Sequence, residues 1–309
     1  MLRYLIKRIG YMLLTLFLIA TVTFFLMKLL PGTPLSAADK LSPEQQAIVL
    51  EKYGLNDPIP VQYVRYMSGL LKGDLGVSFA FDNTPVTKIL MDRLGPSALL
   101  GFQAVIVGAI VGILLGLISS VFHNGIIDYT STIIAVLGTS IPSFIFAGLL
   151  QYLFAVKLEI FPVALWGEPK HAILPTLALA ITPMATCARF IRTEMVEVLN
   201  SQFILTARAK GLSEVAVVFR HGLRNALIPL VTIIGPMVVS LMTGSMVIEK
   251  IFAIPGIGEQ FVDSVYVNDY PTIMGTTLLY ASGFIVVLLI IDILYGIIDP
   301  RIRIGGGGK

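Results

Sequence analysis

Six intervals of the chain contain no Asp, Glu, Lys or Arg: Ile9–Met27, Leu94–Phe122, Tyr129–Val156, Ala172–Ala188, Asn225–Ile248 and Tyr270–Ile291. A helix needs about 20 apolar residues, within a range of roughly 17–25, to cross the hydrocarbon of a bilayer. Each interval meets that length. They predict an all-α integral membrane protein with six transmembrane helices. Ala172–Ala188 is the shortest and contains Pro175 and Pro183. The first run follows Arg3, Lys7 and Arg8, as a secretory signal would. A signal's apolar region is only about 7–15 residues long, so this run is read as an uncleaved spanning helix.

Composition agrees. The chain is 56% hydrophobic and 13% charged, against about 45–50% and roughly 25% in average usage. Its net charge of +3 is small and scattered, which excludes a nucleic-acid partner and leaves membrane lipid as the surrounding medium. A single Cys187 excludes an internal disulfide and a Cys-based zinc site; it is read as packing.

Arg and Lys beside the spans set the orientation. One side collects Arg3, Lys7, Arg8, Arg189, Arg192, Arg208, Lys210, Arg220, Arg224, Arg301, Arg303 and Lys309. That side is expected to be cytoplasmic, with both termini and the loop 193–226. Segment 31–96 is then outside, between the first two spans. "LSPEQQAIVLEKYGL" has Ser42 as N-cap, Pro43 at the first helical position, Gln45 for the capping box and Gly54 to end the helix. Val61, Val64 and Leu71 recur at helical spacing, and Thr84 to Gly95 repeats the cap, Pro, helix, Gly order. A small helical extracytoplasmic subdomain is expected, either a packed lid over helix ends or a docking face. The expected organisation is 1–30 for the N-terminal end and first span, 31–96 for the outer subdomain, 97–299 for the membrane core and 300–309 for a cytoplasmic tail.

The cytoplasmic loop contains "ARAKGLSEVAVVFRHGLRNALIPL". Ser201 can cap a short helix reaching Lys210. Gly211 fits the left-handed position after it. Ser213 can cap a second helix from Glu214 to about Leu223, with Pro229 near the entry of the fifth span. Phe203, Ile204, Leu205, Val215, Val217, Val218 and Phe219 need cover; Ala207, Ala209 and Gly211 let another surface approach, and Arg208 and Lys210 are free to contact it. Such an elbow either rests on anionic headgroups or docks a cytosolic protein.

"TARAKGLS" followed by "HGLRNALIP" resembles the cytoplasmic EAA loop of binding-protein-dependent ABC importer permeases, in the version of the peptide and nickel permease family. "SIPSFI" at 140–145, "GSMVIEKIFAIPGIG" at 244–258, "DYPTIMG" at 269–275 and "YGIIDPRIR" at 295–303 resemble the same family in order, and the likeness is greatest to its oligopeptide branch. Dipeptide and nickel importers remain the alternatives. Aligned on Gly211, the motif's glutamate position holds Leu205, so no role for that glutamate carries over. The resemblance implies a type I importer permease fold in a bacterial cell membrane. It also implies that Thr206, Ala207, Arg208, Ala209, Lys210, Gly211, Leu212 and Ser213 dock and couple to a cytosolic ATPase. The implied partners are a second homologous permease, two ABC ATPase subunits and an extracytoplasmic peptide-binding protein.

Within the chain itself there is no phosphate-loop motif; "GGGGK" ends the sequence without the required Ser or Thr. No cofactor is therefore expected here, and ATP and Mg belong to the ATPase partners. His123, His171 and His221 form no H-E-x-x-H or nucleophile arrangement, so no catalytic residue or metal site is expected. Asp292 is the one acidic group well inside an apolar run. It either lines the translocation path or reaches water or Arg301 near the helix end. Thr243, Gly244 and Ser245 either line a passage or pack closely. Glu249 and Lys250 are read as a structural ion pair, and Pro142, Pro183 and Pro236 as kinks. A self-sufficient secondary transporter would need coupling groups and repeated halves; this sequence offers one acidic candidate and no repeat.

Overall fold

A computed structural model describes residues 2–29, 50–51 and 53–298. The expected helix at Ser42, Pro43 and Gln45, Arg301 and the Gly-rich tail lie outside these residues. Among the described residues helices are the repeating structure, with one isolated antiparallel bridge between Val77 and Pro85. Lipid offers no hydrogen bonds, and a helix satisfies its backbone internally.

Among the described residues five helices are long and apolar enough to cross a membrane: Ile6–Leu29, Val86–Val121, Pro169–Leu199, Glu214–Met242 and Tyr270–Ile293. The sixth expected span is a pair, Ile126–Ser140 and Ser143–Lys157, bent by 104°. The bend falls at Ile141–Pro142. Ile141 is extended, with φ −86° and ψ 120°, as the residue before a proline prefers. Ala172–Ala188 proves the core of a longer helix, because Arg189, Arg192, Glu194 and Glu197 continue it to Leu199.

The chain divides into two compact units. Unit 1 joins Met1–Gly95 with Pro255–Val286. It contains α1 (Leu2–Leu29), α2 (Ile59–Leu71), the start of α3 (Val86–Val121), α11 (Ile257–Tyr266) and most of α12 (Tyr270–Ile298). Segment 31–96, expected as a subdomain of its own, is thus grouped in its described part with α1 and Pro255–Val286. Nor does α3 stop at Gly95; it runs through Pro96 as a single helix.

Helix α2 lies antiparallel to the end of α1. Lys28 Nζ donates to Gln62 Oε1 at 2.5 Å, Thr21 Oγ1 and Tyr63 Oη share a hydrogen bond of 2.8 Å, and Phe24 stacks on Tyr66 with centroids 5.7 Å apart. Val61, Val64 and Leu71 do not form the packed face their spacing suggests; they are 47%, 64% and 87% exposed. A helix apolar on both sides belongs in lipid or against another protein. Elsewhere in unit 1, Gly54 (φ +63°) does end its turn, its N–H reaching Glu51 O while that of Leu55 reaches Leu50 O. Buried Asp269, before α12, accepts from Ser78 Oγ (2.5 Å), Phe79 N (2.9 Å) and Thr272 Oγ1 (2.6 Å). One carboxylate so ties a loop to a helix start.

Unit 2 spans Pro96–Ile254 and Val287–Arg303. It contains α4 (Ile126–Ser140), α5 (Ser143–Leu150) with a π-helical extension Gln151–Lys157, α6 (Ile173–Leu199), α7 (Gln202–Ala209), α8 (Glu214–Ala216), a π-helical stretch Val217–Leu223, α9 (Arg224–Met242) and α10 (Met246–Ile251). Its α3 and α6 touch backbone to backbone. A Cβ at Gly108, Gly112 or Gly116 would meet the carbonyl oxygens of Ala180, Met184 and Ala188 at 2.6, 2.4 and 2.5 Å. Both helices advance by four residues, so the three glycines keep the two backbones close along the whole seam.

Buried Asp128 accepts from Arg192 Nε (2.6 Å) and Nη2 (2.9 Å), from Ser119 Oγ (2.5 Å) and from Asn124 N (2.9 Å). His123 Nδ1 lies 3.3 Å from the same carboxylate. Buried Glu249 accepts from Ser97 Oγ at 2.6 Å, a partner on α3 that its sequence neighbourhood did not suggest.

Candidate coupling elbow

Helix α6 stops at Leu199, and α7 leaves it at Ser201. Ser201 starts α7 through its extended backbone, with φ −78° and ψ 156°. Its hydroxyl donates back to Val198 O at 2.6 Å instead of accepting from the new helix. Ile204 and Ala207 turn inward onto Val217, with Val198 and Leu199 beside them. Ala207, expected on the open surface, is therefore part of the elbow's own small core.

The turn ends α7 as the sequence predicts. Lys210 is the C-cap and Gly211 follows with φ +79°. Gly211 N donates to Arg208 O at 2.9 Å and Leu212 N to Ala207 O at 3.4 Å, the paired bonds of a Schellman turn. Ser213 then caps α8, its Oγ accepting from Ala216 N at 3.3 Å. Arg208 is not free. Its Nε and Nη2 fork onto Glu214 Oε1 and Oε2 at 2.9 and 3.1 Å, across the turn.

No second elbow helix ends near Leu223. From Glu214 the chain stays helical through the π-helical stretch into α9, and Pro229 lies inside that helix. Gly222 packs close to α6 within this run: a Cβ there would sit 2.9 Å from Met195 Cε. What remains outward is an apolar cap around the turn. Leu205, Leu212, Val215 and Phe219 are 53%, 38%, 69% and 55% exposed. Thr206, Ala209, Lys210, Gly211 and Ser213 are exposed with them.

The three pathway candidates do not form one cluster. Thr243 is the C-cap of α9 and Ser245 the N-cap of α10, on either side of Gly244 at φ +94°. Asp292 belongs to α12, beside Ile291, whose side chain fills the space at Gly235. Thr243 lies eight residues beyond Gly235, about 12 Å along α9. The Gly108–Gly112–Gly116 seam was missed as a motif, although its four-residue spacing is visible in "GAIVGILLG".

Apolar spans of this number, with a capped and exposed elbow between α6 and α9, define a multi-pass membrane transport subunit. Residues 108–304 match the family described as binding-protein-dependent transport system inner membrane component, and residues 1–100 match its N-terminal family. The chain belongs to this family of permeases. It is 48% identical to the dipeptide transport system permease protein DppB of Lactococcus lactis subsp. cremoris (strain MG1363), over 98% of this chain and 100% of that one. It is 41% identical to the oligopeptide transport system permease protein OppB of Salmonella typhimurium, again over 98% and 100%. A crystal structure of an amino acid ABC transporter with histidines matches 70% of this chain and 95% of that one with a TM-score of 0.51; at 18% identity it speaks to the fold alone.

Proposed function

We propose that the chain is one permease of an ATP-driven importer of short peptides, and that ATP energy enters it at the turn from Thr206 to Ser213. The carrying observation is the apolar cap of Leu205, Leu212 and Val215 on an elbow held rigid by its own core and its Schellman turn. Exposed apolar patches of this kind mark interaction sites. Relatives named for dipeptide and for oligopeptide transport both support peptides as cargo; the higher identity on the dipeptide side favours short ones.

In this reading a second permease completes the passage. Two cytosolic ATPases hold ATP and Mg, and a binding protein delivers peptide from the other side. The chain itself is non-catalytic. Both termini and the elbow face the cytoplasm, and Thr243, Ser245 and Asp292 border the passage at separate depths. Single cysteines at Asp82 and Ser213, in a Cys187→Ala background, check the orientation with an impermeant thiol reagent on intact cells. Labelling of Asp82 alone is expected; labelling of Ser213 alone inverts the topology.

Transport and ATPase rates in proteoliposomes test the elbow. An added Cβ at Gly211 meets nothing within 4 Å, so Gly211→Val acts through backbone strain of about 1 kcal/mol or more and through bulk on the docking side. It should lower ATPase association or separate hydrolysis from uptake, and Ala209→Leu should do so through bulk alone. Arg208→Ala removes an exposed pair worth about 0–1 kcal/mol and should be milder. An elbow resting on lipid predicts the reverse order. Wild-type coupling in Gly211→Val would end the proposal for this turn.

A further inference from the structure

Unit 1 holds two adjoining hollows that the transport reading does not use. The first, of about 330 Å³, lies where α1 ends and α12 begins; it is lined by Phe24, Lys28, Tyr66, Phe79, Tyr270 and Met274, among others. The second, of about 600 Å³, is an apolar trough further along the same helices, between Leu13 and Phe17 of α1, Met67 and Leu70 of α2, and Leu278 of α12. Leu75 lines both. On α1 Leu13, Phe17, Phe24 and Lys28 recur at four- and seven-residue steps on one stripe, with polar partners at one end and apolar ones toward the middle.

The first hollow has unused hydrogen-bond donors. Tyr66 Oη is buried and finds no partner among the described residues; buried phenols are normally satisfied. Burial pushes this phenol up to about 12, so it stays a donor at neutral pH. Lys28 Nζ carries three N–H groups and, among the described residues, donates to Gln62; its charge lies 5.4 Å from the Phe24 ring centroid and 5.7 Å from that of Tyr270. Arg65, at the rim, is engaged by Asp57. The vacant donors thus call for an oxyanion. The trough calls for a chain of methylenes.

We infer that these two hollows are one site for a membrane phospholipid, its phosphate between Lys28 and Tyr66 and one acyl chain in the Leu13–Leu70 trough. Length supports the assignment. Lys28 to Phe17 is about 16 Å along α1, and one leaflet takes half of a hydrocarbon core about 30 Å thick. The exposed Val61 and Val64 leave the opposite face of α2 apolar as well. The lipid would wedge between α1 and α2 and fix the tilt of α2.

The test uses the full chain in its transporter complex, in phosphatidylcholine nanodiscs doped with a phosphatidylglycerol carrying a diazirine on its acyl chain. After photolysis, adducts should concentrate on the peptides containing Met67 and Leu70. They should exceed those at Ile133 and Leu149, which are exposed and line neither hollow. Tyr66→Phe combined with Lys28→Gln keeps the aromatic ring and should lower the α2 adducts about tenfold, the worth of one or two hydrogen bonds, with adducts at Leu149 unchanged. Leu70→Trp fills the trough and should do the same without touching the head site. Adducts spread evenly over the exposed helices, or insensitive to both variants, would mean annular contact only and overturn the inference. So would displacement of the probe by millimolar inorganic phosphate alone, which would make the first hollow a free-anion site.

Discussion

A side-chain carbon on Gly112 would stand 2.4 Å from the carbonyl oxygen of Met184. No rotamer relieves that overlap, because the obstacle is backbone. Gly112→Val should therefore push α3 off α6 and cost about 1–3 kcal/mol or more. Gly148→Val makes the control, since a Cβ there meets nothing within 4 Å. Melting temperatures of the two variants in detergent should differ, with Gly112→Val lower; equal values would show that the seam opens freely.

Arg192 and Asp128 make a fork inside unit 2, with the aspartate side chain 2% exposed. Arg192→Met leaves that carboxylate without its cation, a change that costs about 3–5 kcal/mol in buried pairs. Asp128→Asn on the Arg192→Met background should recover much of the loss. A double-mutant cycle on thermal unfolding measures the coupling, and additive effects would count against it.

Asp269 holds Ser78, Phe79 N and Thr272 together. Asp269→Asn turns an acceptor into a donor facing donors, and should cost about 1–3 kcal/mol. Hydrogen exchange at the Phe79 amide should quicken by at least an order of magnitude, while amides of α9 keep their protection.

Tyr66 gives unit 1 an alkaline weakness. Its folded phenol lies near 12, against about 10 in an unfolded chain. Between those values only the unfolded form ionises, so stability is full below the lower one and falls as pH rises toward the upper. Tyr66→Phe removes that contribution. Melting curves at several alkaline pH values should show the wild type losing more than the variant; parallel losses would show a solvated phenol.

Sequence legibility followed the range of the forces involved. Gly211 and Ser213 were readable because a helix end is decided within a few residues. The spans were readable because charge is so costly in lipid. Val61, Val64 and Leu71 misled, since spacing marks an apolar face but not what lies against it, and α2 is apolar on both sides. Gly95 and Pro96 suggested a stop that the helix ignores. The Arg208–Glu214 fork needed the turn's geometry, and one partner of Glu249, Ser97, stands far back in the chain. Both were beyond local rules.

The π-helical stretch at Val217–Leu223 has a mechanical consequence. Glu214–Met242 is one continuous helix of 29 residues, a rod about 43 Å long. Pro229, Pro236 and the π-helical turns lie inside this helix without interrupting it, and the chain first breaks at Gly244, whose φ of +94° suits a residue without a side chain. The elbow turn and the polar break of Thr243 and Ser245 thus stand at opposite ends of one helix, which the buried Gly222 lets lie close to Met195 near the elbow end.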